Sequence, residues 1–188
     1  MPAVSKREHI VTTALNLFYK NGFNATGVDT IIAQAGVSKK TLYNHFRTKD
    51  ELILATLRKR DELFRNFFMR EVEKKEKTAR GRLLAIFDMV DNWFKSDDFA
   101  GCMFINASAE FGAADNPNHI FCAEHKRLML DYIRDLASQA AASNPDQLAD
   151  QLNLLIEGAI VCAHVMGDKE AALKAKEMGM KFIESAIN

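Results

Sequence analysis

Within the stretch "AGVSKKTLYNHFRTKDEL", Ala35 to Leu52, the segment Lys39 to Phe46 packs two lysines, a threonine, a tyrosine, an asparagine and a histidine into little more than two helical turns. A helix this short is marginal in isolation, so packing must hold it. It is also too polar for a core helix. Gly36 sits where a left-handed backbone is cheap, and Ser38 can cap a helix running to about Phe46. Val37, Leu42 and Phe46 can anchor the unit to a core. Lys39, Lys40, Thr41, Tyr43, Asn44 and His45 then point elsewhere. Thr48 and Glu51 form a capping box that launches the next helix.

On the N-terminal side, Ser5 and Glu8 form another capping box, followed by an apolar stripe of Ile10, Ala14, Leu17 and Phe18. Gly22 is the expected stop, with Phe23 as its hydrophobic contact. Thr26 is the next N-cap candidate, with Asp29 three residues on. Val28, Ile31, Ile32 and Ala35 supply that helix's buried face. On the C-terminal side, Ile53, Leu57, Phe64, Phe67, Phe68 and Val72 keep the pattern helical to about Lys77. The run "EKKEKTARG", Glu73 to Gly81, lacks large apolar residues and reads as the end of the long helix. Further helical segments cover Leu83–Phe94, Cys102–Phe111 and Pro117 to about Ala141. Asn144-Pro145 starts another, with proline at the first helical position, expected to end near Gly167. Asp168 caps the last, which runs to about Ala186. Strand-like alternation is scarce. The expected fold is all-α, with about nine helices.

Composition narrows the class. The chain has 188 residues, 48% hydrophobic and 27% charged, typical of a globular protein. No apolar run approaches the length needed to span a membrane. The N-terminus "MPAVSKREHIV" carries no signal-peptide pattern, so a cytoplasmic location is expected. Cys102, Cys122 and Cys162 are odd in number and widely spaced, against a disulfide framework. Net charge is zero overall, but residues 1–60 hold ten Lys/Arg against Glu8, Asp29, Asp50 and Glu51, a surplus of six. The remainder is acidic by the same amount. A polyanion partner is therefore expected for the first part only.

A helix, a Gly-Val-Ser turn and a short polar helix make a helix-turn-helix. Its side chains suit a major groove: lysine donates to guanine, asparagine pairs with adenine, and a threonine methyl packs on thymine. Tyr43, His45 and Lys49 suit phosphate oxygens, as do the backbone amides at the helix starts. The segment "ALNLFYKNGFNATGVDTIIAQAGVSKKTLYNHFRTKDEL" resembles the DNA-binding domain of the TetR family of bacterial transcriptional regulators. The resemblance implies base-edge or nearby contacts from Lys39, Lys40, Thr41 and Asn44, with Ser38 at the start of the reading helix. It implies phosphate contacts from Thr26, the amide of Val28, Tyr43, His45 and Lys49. The family often has glycine, proline or alanine where this chain has Lys40, whose role stays open between base, phosphate and solvent.

The implied organisation is a DNA-binding domain at 1–50, a linking helix at about 48–77, and an effector-binding and dimerisation domain at 78–188. Beyond residue 80 no catalytic constellation is present and no enzyme is expected. No cofactor is expected. His119, Cys122 and His125 are three apart, so their directions on a helix spread over about 120°, poor for one metal. Trp93, Phe94, Met103, Phe104, Phe111, Met129 and Tyr132 suit either core packing or an effector pocket. Asn106 and Glu110, four apart on the apolar "GCMFINASAEF", either anchor a ligand or satisfy neighbouring helix ends. Cys102 near a helix start suggests a redox or electrophile sensor as an alternative, and an effector-independent DNA-binding protein is another. The family plan implies a homodimer through the last two helices. Leu152, Leu155, Ile156, Ala159 and Phe182 are the interface candidates. The expected partners are a pseudo-palindromic duplex operator and a small-molecule effector, with no membrane. The expected activity is repression released by the effector.

Overall fold

The computed structural model describes residues 5–187. The N-terminal segment read above lies partly outside them. The described residues form nine helices and no strand: α1 (Lys6–Asn21), α2 (Val28–Ala35), α3 (Lys39–His45), α4 (Lys49–Lys75), α5 (Ala79–Phe94), α6 (Met103–Glu110), α7 (Pro117–Gln139), α8 (Pro145–Met166) and α9 (Ala171–Ala186). The all-α expectation is met.

Helix starts follow local chemistry. Ser5 accepts from the Glu8 amide at 3.1 Å, and Thr48 from the Glu51 amide at 3.1 Å. Asn144 accepts from the Gln147 amide at 3.1 Å, ahead of Pro145. Two starts differ from the expectation. Gly27, not Thr26, is the N-cap of α2. Asp168 accepts from the Glu170 amide at 3.1 Å in a preceding turn, so α9 begins only at Ala171.

By compactness the chain falls into two units. One unit comprises the chain up to Phe64 together with Cys102–His125. The other comprises Arg65–Gly101 with the chain from Lys126 onward. α4 and α7 each contribute residues to both.

In the first unit, α1 buries Ile10, Val11, Ala14, Leu15, Phe18 and Tyr19 and packs on α2 and α3, and Ile31, Leu42, Phe46, Leu52, Ile53 and Leu57 are buried in the same unit. Phe18 stacks on Phe23 at 5.2 Å, and Phe111 meets Phe23 edge-on at 5.8 Å. The segment Cys102–His125 joins this unit through polar bonds as well. Glu110 accepts from two amides in the α1–α2 turn. His125 Nδ1 lies 2.8 Å from Asp61 Oδ1, with both side chains buried, and its ring stacks on Phe104 at 3.6 Å. Gly22 has φ +85° and ψ 165°, a region only glycine tolerates.

In the second unit, α9 lies against both α5 and α8. Small residues on α9 (Ala171, Ala172, Ala175 and Gly179) let the backbones approach. A Cβ on Gly179 would come within 2.9 Å of Phe87 Cζ and 3.2 Å of Leu152 Cδ2. Asp88 on α5 binds Lys75 at 3.0 Å and Lys176 at 2.5 Å, tying α4, α5 and α9. Burial pushes its carboxyl up, but the two ammonium groups outweigh that and hold it below the usual aspartate value of 3.8. A depressed carboxyl stabilises the fold above its unfolded pKa and loses that effect as pH falls through its folded value. Asp88→Asn therefore costs about 1 kcal/mol near neutrality, a charge-assisted value discounted for solvent screening. In paired melts of the two proteins, the difference shrinks toward zero below about pH 4.

α8 packs on α5 and α9, as the core helix of a globular protein does. Its 22 residues are long and apolar enough to cross a membrane by length and composition. The physical reason is that two of its faces are apolar. Leu148, Leu152, Ile156, Ala159 and Ala163 face the unit's own core. Leu154, Val161 and Val165 are exposed on the opposite side.

Candidate nucleic-acid interface

α2 ends in a Schellman turn. Gly36 is left-handed (φ 62°, ψ 33°) and its amide bonds Ala33 O, while the Val37 amide bonds Ile32 O at 3.3 Å. Ser38 then caps α3, accepting from the Thr41 amide at 3.1 Å, and its hydroxyl also meets the Thr41 hydroxyl at 2.9 Å. Leu42 is 0% and Phe46 3% exposed, which pins the seven-residue helix to α1 and α2. With those two side chains inward, Lys39, Lys40, Tyr43, Asn44 and His45 are exposed, and Thr41 is half-buried. The expected division of α3 into anchors and outward polar groups is what the structure has.

The start of α2 lies close in sequence. Gly27 makes no side-chain cap there, so the Val28 amide carries no intrahelical partner and belongs to a positive helix end. Lys49 Nζ donates to Asn24 O at 3.4 Å, which keeps its ammonium beside the α1–α2 turn. Asp29 pairs with Lys39 at 3.6 Å, both largely exposed.

Thr26 stands apart. It is 3% exposed, and its hydroxyl donates to Gly22 O at 2.7 Å. The hydroxyl is thus spent inside the turn. Thr26→Val should cost about 1 kcal/mol of stability, one buried hydrogen bond. The salt dependence of DNA binding should stay the same. A shallower slope in a salt titration would return Thr26 to the phosphate contacts.

The expected effector residues are divided. Met103, Asn106, Glu110 and Phe111 belong to the first unit, and Trp93, Phe94, Met129 and Tyr132 to the second. Glu110 is a structural acceptor, taking 2.8 Å and 2.6 Å bonds from the Phe23 and Asn24 amides. Met103 is 2% and Phe94 0% exposed. Trp93, Phe94 and Phe99 form an aromatic cluster with centroids 5.1–5.9 Å apart. Lys169 lies 4.5 Å over the Phe99 ring and donates to Phe94 O. The Tyr132 hydroxyl is buried with no hydrogen-bond partner among the described residues. Burial, aided by Glu73, pushes it up to about 12. Cys102 is the N-cap of α6 and 6% exposed. His119 Nδ1 donates to Phe111 O at 2.9 Å, so His119 and His125 turn to different partners.

The interface candidates on α8 need correction. Leu152, Ile156 and Ala159 are 1%, 8% and 5% exposed within their own unit, and Leu155 is half-buried. Among the described residues, the exposed stripe is Leu154, Gly158, Val161 and Val165, with Met178, Met180 and Phe182 on α9. The sequence carries this signal in the spacing of residues 154, 158, 161 and 165, one per turn on one face. That spacing is hard to pick out because the opposite face of the helix is equally apolar. The Asp61–His125 pair, 64 residues apart, has no local signal.

This arrangement has close parallels in known proteins. The family profile described as bacterial regulatory proteins, tetR family, matches residues 10–56, and the tetracyclin repressor-like C-terminal domain matches 79–178. The chain belongs to the TetR family. It is 27% identical over 172 residues to the HTH-type transcriptional repressor ComR of Escherichia coli, covering 86% of this chain and 81% of ComR. The crystal structure of SCO4454, a TetR-family transcriptional regulator from Streptomyces coelicolor, superposes with a TM-score of 0.89 at 28% identity, covering 97% and 96% of the two chains. The reduced form of E. coli NemR shares the fold, with a TM-score of 0.84 at 22% identity over 94% and 95%. As a TetR-family protein, the chain is a DNA-binding transcriptional regulator.

Proposed function

We propose that this TetR-family protein is a homodimeric repressor that releases a pseudo-palindromic operator when a small molecule binds its C-terminal region. The observation that carries the reading is α3. It is pinned by Leu42 and Phe46 and presents Lys39, Lys40, Tyr43, Asn44 and His45 on one exposed face. A helix so anchored inserts its polar edge into a major groove, lysine and asparagine reading bases. Tyr43, His45, Lys49 and the Val28 amide hold the flanking phosphates.

The second copy is supported by α8. Leu154 at 72% and Val165 at 75% exposure flank Gly158, where an added Cβ would meet nothing within 4 Å. An apolar stripe with a glycine at its centre suits close approach of an identical helix about a two-fold axis. Two α3 helices then sit about one DNA turn apart, roughly 34–36 Å. The Tyr132 hydroxyl supports a ligand: a buried, unpartnered phenol gains a hydrogen bond when an effector with an acceptor arrives. The effector must bind the DNA-free state more tightly, and α4 is the segment whose tilt would change the spacing of the reading helices. Such a protein works beside the chromosome, in the bacterial cytoplasm.

Selection from a random duplex pool with the purified protein tests the reading. It should return an inverted repeat whose half-sites are one helical turn apart, and a panel of small molecules should contain compounds that release it. Direct repeats or no enrichment would overturn the two-fold operator. Enrichment with no releasing compound in a broad panel would favour an effector-independent DNA-binding protein.

A further inference from the structure

We infer that Glu110 is a positioning residue for the DNA-reading head, acting through the α1–α2 turn. The inference rests on the operator reading above. Glu110 is the last residue of α6. Its Oε1 accepts from the Phe23 amide at 2.8 Å and its Oε2 from the Asn24 amide at 2.6 Å. Both carboxylate oxygens are therefore occupied by consecutive backbone donors. That two-point grip fixes the direction of the turn as well as its distance.

The gripped turn is where the reading head's phosphate groups converge. Asn24 O receives the Lys49 ammonium at 3.4 Å, and Thr26 ties back to Gly22 O at 2.7 Å. Four residues after Asn24 comes Val28, whose amide opens α2. A shift in the turn thus moves a helix end and a lysine together. Hydrogen bonds weaken steeply with misalignment, so displacing the carboxylate by about an ångström would release the pair.

Neighbouring contacts make the grip directional. Phe111, next in sequence, places its ring edge-on to Phe23 at 5.8 Å. Its carbonyl is held by His119 Nδ1 at 2.9 Å, which fixes the α6–α7 corner. On the other side Gly22 leaves just enough room. A Cβ there would stand 3.1 Å from Oε1. The carboxylate is thus enclosed by the turn it holds, and its α6 backbone is anchored at the following residue.

The test uses the full chain and a duplex that the unsubstituted protein selects from a random pool, beside an unselected duplex of equal length. Glu110→Gln keeps the shape but offers one acceptor to two donors and turns an amide NH2 toward the second. The amides of Phe23 and Asn24 should exchange hydrogen at least about tenfold faster. Affinity for the selected duplex should fall about tenfold, one charge-assisted bond per head. Affinity for the unselected duplex should fall less, because mobile phosphate-binding groups can still find phosphates without a fixed register, and its salt slope should hold, since no cation is removed. Glu110→Ala should repeat this pattern. Glu110→Asp, which keeps the charge but reaches only one amide, should fall between. Unchanged selected-duplex affinity overturns the inference. An equal fall on both duplexes, or a fall that tracks the thermal midpoint, also overturns it by making Glu110 merely structural. If the unsubstituted protein selects no duplex, the operator reading itself fails and takes this inference with it. Selection followed by indifferent variants removes this inference alone.

Discussion

Replacing Tyr43 and Lys49 together with alanine should lower operator affinity roughly a hundredfold for each head of the proposed dimer, the loss there of one neutral and one charge-assisted phosphate bond. The affinity should also become less sensitive to salt. Each lost lysine–phosphate contact reduces the log–log slope by about 0.9, so a two-headed complex loses roughly 2. The geometry supports this. Tyr43 is 42% exposed on α3, and the Lys49 ammonium already rests beside the turn at Asn24 O. Fluorescence-anisotropy titrations between 50 and 200 mM salt, a range over which phosphate contacts dominate, read both quantities. A full loss of affinity with no change of slope would assign the effect to Tyr43 alone. No change in either would remove both residues from the phosphates.

Val161→Glu should turn the proposed dimer into monomers. The residue is 46% exposed on the apolar stripe of α8, so in a two-fold contact a carboxylate there is buried without a partner. Leaving one charge unpaired costs about 3–5 kcal/mol. The dimer dissociation constant should rise by about 10³ or more, visible in sedimentation velocity at micromolar protein. Operator affinity should collapse with it, since neither head then benefits from its neighbour's attachment. Leu152→Ala is the contrasting variant. Leu152 is 1% exposed and meets Gly179 in its own unit. It should cost about 2–5 kcal/mol of folding stability and leave the association state of the folded protein unchanged. If the two variants exchanged outcomes, the interface would lie on the other face of α8.

What the sequence revealed, and what it hid, follows from how local each cause is. The turn at Gly36–Ser38 and the helix starts at Ser5, Thr48 and Asn144 depend on side chains three residues from the amides they cap. All of these could be read without a structure. The outward edge of α3 followed from Leu42 and Phe46, four apart on a single face. Thr26 misled because its hydroxyl had two local choices, the α2 amides or Gly22 O, and burial of the turn selected the second. Glu110 could be narrowed to ligand or helix end but not decided, because its donors lie 86 and 87 residues away. On α8 both faces are apolar. Periodicity alone therefore could not tell the side that packs on α5 and α9 from the side left open.

The shortness of α3 limits how much of a genome this regulator can tell apart. Seven residues span about 10 Å of helix axis. At about 3.4 Å per base pair, that faces three or four pairs. In the proposed dimer, two heads together would specify six to eight pairs, one pattern in roughly 4,000 to 65,000, whereas a chromosome offers about 10⁶ or more competing positions. Base reading by α3 alone would leave many addresses that look alike. The missing discrimination has to come from how readily the spacer between half-sites adopts the twist and groove width that two fixed heads demand. The regulator's choice of promoter is then encoded partly in base pairs it never touches.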